Sequence, residues 1–348
     1  MIRIGIIGLG FMGYTHYSAS HNLRGAKVTA IATRNKKKRA GDWTSIQGNF
    51  GPRGGHVDLS KVKTYENYHD LLADPDIDVV DICLPTDQHE TVVLDAIKAG
   101  KNILVEKPIS VDLKSANRMV NAAKKAGVQL MVAHVLPFFP EFQFVADAIA
   151  KEKYGKLQAA HFRRVIAPPK WSKGMEDYRK LGGWGIDLHI HDNHFICATC
   201  GVPQKVFSQG IQREGLVNHI HSNYLFDDVD LAVSSVSGGI APKEMQFAHG
   251  FEMIFEKGMI IYNAGTIAGE WVVDRPLTLI AGNSKPRQPK LKGGSEWYSA
   301  FTLELQEMVN SLKSGKKSKL LSGELARDAL KLCFAESKSI AGRKLVKV

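Results

Sequence analysis

Short apolar runs alternate with amphipathic stretches over the first part of the chain. Residues 3–7 (Arg-Ile-Gly-Ile-Ile) predict a short strand, Tyr14 to Leu23 a helix, and residues 26–32 (Ala-Lys-Val-Thr-Ala-Ile-Ala) a second strand. After an interruption the rhythm resumes: helix 66–73, strand 78–84, helix 88–99, strand 102–105, helix 112–126, strand 128–132. Strands that alternate with helices imply a parallel sheet with right-handed crossovers, a doubly wound α/β domain over roughly residues 1–130. The interruption at 41–60 holds Gly48, Gly51, Pro52, Gly54 and Gly55, which mark an irregular loop long enough to be functional or mobile.

Beyond Pro137 and Pro140 the pattern changes. A helix near 141–151 is followed by longer stretches of period two, among them 157–166, 245–256 and 270–280. These read as antiparallel strands with one solvated face. Residues 297–341 read as two helices separated by the basic turn Lys313–Lys319. There is no internal repeat and no low-complexity tract.

Composition narrows the function classes. The chain has 348 residues, 44% of them hydrophobic, enough for two domains each with its own core. No apolar run approaches the ~20 residues of a membrane span. The first residues enter a strand directly, without the charged and apolar regions of a secretory signal, so a cytoplasmic location is expected. A net charge of +11 raises nucleic acid as a partner, but the basic residues are dispersed and no nucleic-acid motif accompanies them. Affinity for anionic ligands is the milder expectation. Four cysteines make no disulfide framework, and Cys197-Ala198-Thr199-Cys200 lacks the second pair a zinc site needs, so it reads as helix packing.

The chemistry begins at Gly8-Leu9-Gly10-Phe11-Met12-Gly13, which follows a strand and opens a helix. Gly8 permits the tight turn, Gly10 lets a pyrophosphate approach the backbone, and Gly13 lets helix and strand pack closely. The helix N-terminus then favours the phosphate charge, so a dinucleotide site is expected here. Some 20 residues on, where an acidic residue commonly holds the NAD ribose, stand Thr33 and Arg34, then Asn35-Lys36-Lys37-Lys38-Arg39. A hydroxyl and a guanidinium suit a 2′-phosphate, favouring NADP(H) over NAD(H). The competing reading makes the lysines a solvated helix start and leaves NAD(H) possible.

Pro85-Thr86-x-x-His89 and Glu106-Lys107-Pro108 follow the C-terminal ends of expected parallel strands, where doubly wound folds bind ligands. Lys107 there can donate to a developing alkoxide. Farther on, Gly182-Gly183-Trp184-Gly185 leads to Asp187-Leu188-His189-Ile190-His191-Asp192. If Asp187 starts a helix, His191 lies one turn on along the same face, an Asp–His pair suited to proton transfer, with His189 structural. Asp187, His191 and His194 could instead form a two-His, one-carboxylate metal set, but hydride chemistry requires no metal. A polar helix face with no ligand is the bland alternative.

Together these segments, with Ala73-Asp74-Pro75-Asp76-Ile77-Asp78 and the closing helices, resemble the Gfo/Idh/MocA oxidoreductases, named for glucose–fructose oxidoreductase and inositol dehydrogenase. The resemblance covers essentially the whole chain. It implies a Rossmann dinucleotide-binding domain over residues 1–133. A second α/β domain over 134–348 would follow, with a large, mostly antiparallel open sheet whose face makes homodimer or homotetramer contacts. Carried over by motif, Lys107, Asp187 and His191 match the catalytic set. Gly8, Gly10, Phe11, Met12, Gly13, Thr33, Arg34, Pro85, Thr86, His89, Glu106 and Lys107 match cofactor-contacting positions. The activity implied is hydride transfer between a nicotinamide dinucleotide and a sugar, polyol or inositol-like alcohol.

His191 would exchange the hydroxyl proton, Asp187 orient it, and Lys107 hydrogen-bond the substrate oxygen. Arg163, Arg164, Trp171 and Tyr178 are candidates for the substrate pocket. Three departures bear on the substrate: Pro137-Phe138-Phe139-Pro140 where many members have Arg-Phe-x-Pro, His189 where Gly is usual, and a long 41–60 loop with Trp43, Phe50 and Arg53. Two rivals stand beside the dehydrogenase: a glycoside-cleaving enzyme using transient redox, and a non-catalytic dinucleotide-sensing regulator.

Overall fold

A computed structural model describes residues 1–48, 50–167 and 179–348. Two compact units divide the chain: residues 1–138 with 293–327, and residues 139–292 with 328–348.

In the first unit β1 (Ile2–Ile7), β2 (Ala26–Ala32), β3 (Lys63–Tyr65), β4 (Val79–Ile82), β5 (Asn102–Glu106) and β6 (Leu130–Ala133) form a six-stranded sheet in the order β3-β2-β1-β4-β5-β6. All its pairings are parallel. Strands β4 and β6 are buried along their whole length, as a sheet covered on both faces requires. The order reverses between β1 and β4, which sets the switch point where ligands collect in such sheets.

Helices α1 (Phe11–Ser20), α2 (Lys36–Arg39), α3 (Tyr68–Ala73), α4 (His89–Lys98) and α5 (Leu113–Ala126) connect the strands. The local causes are visible in α5. Asp112 caps it by accepting from the backbone N–H of Lys114 and Ser115, and Gly127 ends it at φ +70°. Ala116, Met119, Val120 and Ala123 line its buried face at helical spacing. A cap of this kind contributes about 1 kcal/mol.

The second unit is built on an eight-stranded sheet in the order β13-β12-β11-β7-β10-β9-β8-β14. Its strands are β7 (Leu157–Ile166), β8 (Lys205–Arg213), β9 (Leu216–Leu225), β10 (Ala232–Gly238), β11 (Met245–Phe255), β12 (Gly258–Ile267), β13 (Glu270–Ala281) and β14 (Val346–Lys347). Every pairing is antiparallel except β7 with β10. Strand β7 shows why one face is a core: Ala160, Phe162 and Arg164 are buried, while His161 and Arg163 between them are half-open. Helices α6 (Pro140–Ala150), α7 (Trp184–Asp187) and α8 (Ile190–Cys200) belong to this unit. Phe142 and Phe195 meet edge to face at 5.2 Å, and Phe142 meets Phe251 at 5.1 Å.

The chain's last long helices are α9 (Ser299–Ser314) and α10 (Gly323–Gly342). The sequence keeps all of 134–348 together, but α9 lies in the first unit and packs on α1. Its inward residues Phe301, Glu304, Leu305 and Met308 find their cover there, and Thr302 Oγ1 donates to the Ala19 carbonyl at 3.0 Å.

Candidate functional site

The glycine turn is packed from within and open without. Gly8 sits at φ +97°, and a β-carbon on it would lie 2.6 Å from the Cys83 carbonyl. On Gly13 it would lie 2.2 Å from the Gly8 carbonyl, whereas on Gly10 it would meet nothing within 4 Å. The turn therefore tolerates no side chain toward the sheet and leaves clear space above Gly10. Phe11, Met12 and Gly13 are the first residues of α1, whose opening amides have no intrahelical acceptor, and no acidic residue stands in its first turn. The Lys38 ammonium donates to the Leu9 carbonyl at 2.6 Å, and burial lowers its pKa. Unsatisfied amides, a fixed cation and open space fit a diphosphate.

At the end of β2, Thr33 donates its amide to the Tyr65 carbonyl and Arg34 is exposed. Arg39 is already engaged, by the Thr33 carbonyl at 2.7 Å and Glu66 at 2.6 Å. The described residues of the loop 41–60 pack into the first unit. Trp43 is fully buried, its Nε1–H donating to the Lys38 carbonyl at 2.9 Å. Phe50 stacks on Phe301 at 5.7 Å and meets Phe11 edge to face at 4.8 Å. Arg53 Nε donates to the Thr44 carbonyl within the loop.

The ends of β4 and β5 are tied together. Pro85 is exposed and Thr86 half-buried, but His89 is enclosed, its two ring nitrogens 3.0 Å from the Pro108 carbonyl and 2.9 Å from that of Leu84. Both nitrogens are thus used inside the fold, and burial lowers the His89 pKa. Glu106 is also buried, one carboxylate oxygen accepting the Lys107 backbone N–H at 3.0 Å. The Lys107–Pro108 peptide is cis. Across 103–110, all described, Lys107 is the one residue not buried.

Behind this turn lies a charged cluster that the sequence reading missed. His16 Nδ1 is 2.8 Å from Asp81 Oδ2, and His16 Nε2 is 3.2 Å from Glu106 Oε1 and 3.8 Å from Glu304 Oε2. Cys83 Sγ lies 3.6 Å from His16 Nδ1. Burial opposes charge on His16, yet the facing Asp81 carboxylate holds its pKa well above the usual imidazole value. Burial drives the Glu304 carboxyl the other way, well above the carboxylate range. A signal was present: Asp81 interrupts the apolar run Val79-Val80-Asp81-Ile82, and a buried acid in such a strand demands a partner.

In the second unit the expected helix start at Asp187 is not found. Asp187 ends α7, Leu188 and His189 make the turn, and His191 is the second residue of α8. The reason is local: Gly183, at φ +77°, starts α7 four residues earlier, and the Asp187 amide already bonds to the Gly183 carbonyl. The outcome for exposure is nonetheless clear. Across 183–197, all described, Asp187 and His191 are the two residues not buried.

His189 is structural: its Nε2 lies 3.0 Å from Glu336 Oε1, in a buried network with Tyr224, Asn193 and Ser222. Burial opposes charge on both, but each holds the other ionised, His189 raised and Glu336 lowered. Of the substrate candidates, Arg164 faces inward to a buried pair with Asp192, and Arg163 lies on the opposite face of β7. Trp171 and Tyr178 lie outside the described residues. Cys197 and Cys200 are free thiols on α8.

Comparisons with known proteins agree with this architecture. Residues 2–134 match the model of an oxidoreductase family with an NAD-binding Rossmann fold. The chain is 26% identical to the myo-inositol 2-dehydrogenase of Thermotoga maritima over 100% of its own length and 98% of that protein's. It is 26% identical to the NAD(+)-dependent scyllo-inositol 2-dehydrogenase of Bacillus subtilis, over 90% of this chain and 87% of that one. The crystal structure of an NAD binding oxidoreductase from Klebsiella pneumoniae superposes with a TM-score of 0.79 at 20% identity, covering 100% of this chain and 99% of that one. With the parallel sheet and the glycine turn, residues 2–134 form a Rossmann domain that matches the Gfo/Idh/MocA oxidoreductase family, and the chain is similar to dehydrogenases along its full length.

Proposed function

We propose that the enzyme transfers a hydride between NADP(H) and a secondary alcohol or ketone of a sugar, polyol or inositol. The observation that carries this reading is one of burial: Lys107, Asp187 and His191 are half-buried in runs whose other residues are buried. A nicotinamide dinucleotide, when bound, supplies or accepts the hydride. In the oxidative direction His191 accepts the hydroxyl proton and Asp187 favours its charged form. Lys107 donates a hydrogen bond to the substrate oxygen as negative charge gathers there. In reduction the proton returns by the same path. The inositol substrates named for full-length relatives support the polyol class.

The preference for NADP(H) rests on exposed Arg34 and the half-buried Thr33 beside it, and on Glu66 being engaged by Arg39. Fluorescence titration with NADPH and NADH separately tests it; tighter binding of NADH overturns the preference and leaves the chemistry standing. A screen of inositols, sugars and polyols with both oxidised cofactors tests the activity. Lys107→Met and His191→Ala should each lower turnover by about 100-fold or more while dinucleotide affinity stays within a few-fold. Unchanged turnover refutes those roles.

A second copy of the chain is the partner proposed for the open face of the eight-stranded sheet. Exposed Leu225 and Ile254 border a depression there with His161, Asn223 and Glu252. A monomer by sedimentation at micromolar concentration would exclude this.

A further inference from the structure

The cluster around His16 lies behind the residue just assigned to the substrate oxygen, and its geometry links the two. His16 projects from α1, three residues past Gly13, and is wholly enclosed. Three elements bring acids to it: β4 brings Asp81, the last residue of β5 brings Glu106, and α9 brings Glu304. Cys83, just beyond β4, is the remaining titratable neighbour, and burial pushes its thiol up so that it stays neutral. The cluster thus sets the His16 imidazole between Asp81 on one ring nitrogen and Glu106 on the other. Asp81 takes the Nδ1 contact at 2.8 Å. The Nε2 contact with Glu106 at 3.2 Å is one of charge, without an aligned hydrogen bond.

Glu106 divides its two oxygens. Oε1 faces His16, and Oε2 accepts the Lys107 backbone N–H at 3.0 Å. A carboxylate enclosed in this way needs a facing partner to offset its lost hydration, and His16 is that partner. Without it Glu106 Oε1 would lose the partner that holds it in place, the carboxylate would be free to turn, and the Lys107 amide would lose its acceptor. We infer that His16 is a positioning residue for Lys107, acting through Glu106 to fix the backbone from which the lysine side chain projects. This rests on the assignment of Lys107 as the donor to the substrate oxygen.

A double-mutant cycle on the full-length enzyme tests it, using the polyol the wild type turns over fastest. His16→Gln, Lys107→Met and the double variant are compared for kcat and for dinucleotide Kd. His16→Gln alone should lower kcat by about 10- to 100-fold, the range expected when a reacting group is misplaced by an ångström or less, with Kd within about threefold. In the Lys107→Met background the same change should cost no more than about twofold, because the residue it positions is gone. An equal loss in both backgrounds, or no loss in the wild type, overturns the inference while leaving the role of Lys107 intact. Full turnover in Lys107→Met, or no polyol turned over at all, removes both readings together.

Should His16→Gln fail to fold, Glu106→Gln and Glu106→Ala provide the second measurement. The amide keeps an acceptor for the Lys107 N–H and should retain at least about fivefold more kcat than the alanine variant. Equal losses in the two overturn the inference.

Discussion

The buried pair of Arg164 and Asp192 yields the most demanding stability prediction. Arg164 Nε lies 3.2 and 3.0 Å from the two Asp192 oxygens, and Nη2 lies 3.1 Å from the first of them. The side chains are 5% and 1% exposed. At that depth the attraction between the ions is about offset by the loss of their hydration, so the pair adds little net stability. A single substitution instead measures the charge left behind. Arg164→Met retains an unbranched stem and strands Asp192, which should cost about 3–5 kcal/mol. The guanidinium also lies 6.0 Å over Phe142 and 5.8 Å over Phe247. Loss of each of those contacts adds ~0.5–1 kcal/mol. For a unit of this size the ionic part alone corresponds to a fall in Tm of roughly 6–20 °C. The double change Arg164→Met with Asp192→Leu removes both charges and should return to within about 2 kcal/mol of wild type, the remainder being the lost ring contacts. Urea and thermal unfolding followed by circular dichroism provide the assay. A loss below about 1 kcal/mol in the single variant, or a double variant no more stable than the single, would refute this account of the pair.

Trp43→Ala should cost about 3–5 kcal/mol in the same assay, because an indole fully enclosed by the 41–60 loop and α1 leaves a cavity behind. Gly13→Ala, whose β-carbon meets the Gly8 carbonyl oxygen, should weaken NADPH binding at least about tenfold in a fluorescence titration, since the turn and α1 must separate. The Glu304 carboxyl has a folded pKa raised above its ordinary 4.5, and His16 one raised above 6.5. Both contributions are fully present below those ordinary values and decline as pH rises through the folded ones, so Tm should fall on the alkaline side. Glu304→Gln should flatten that slope above pH 4.5; a slope unchanged from wild type would show that Glu304 is ionised in the fold. At the acid end, Asp74 works in the opposite sense. Burial would raise its pKa, but the Asp76 amide, Lys63 and Tyr65 bring it down to about 2. Its stabilisation is present above pH 3.8 and is lost as pH falls toward 2, a loss that Asp74→Asn should abolish.

The first unit was legible because its signals are local. Apolar strands of four to seven residues, a glycine turn and amphipathic helices each specify their own conformation, while the three-residue β3, beyond the 41–60 loop, carries no such signal. What escaped the sequence depends on distant partners. Glu304 reads as one more charge on an amphipathic helix until α9 is placed against α1, where it becomes a buried acid. His16 gains its acid partners only from β4, β5 and α9, which the sequence alone does not place beside it. The break between α7 and α8 was hidden by another cause: the spacing of Asp187 and His191 suits one helical turn, but the backbone had already begun a helix at Trp184. Arg163 and Arg164 show a third. Neighbours on a strand face opposite ways, and composition alone does not say which arginine meets the core.

The assignment of α9 to the first unit also sets an order of events during synthesis. Strand β6 completes the six-stranded sheet by residue 133, yet Phe301 and Glu304 emerge some 170 residues later. At about 5–20 residues per second the ribosome takes roughly ten to thirty seconds to deliver them. Through that interval the nascent sheet carries Phe50 and the His16 cluster without the helix that closes over them. A chain stalled or cleaved in that window would present an apolar surface with buried-type charges at its centre, a target for chaperone capture rather than a free-standing nucleotide-binding module.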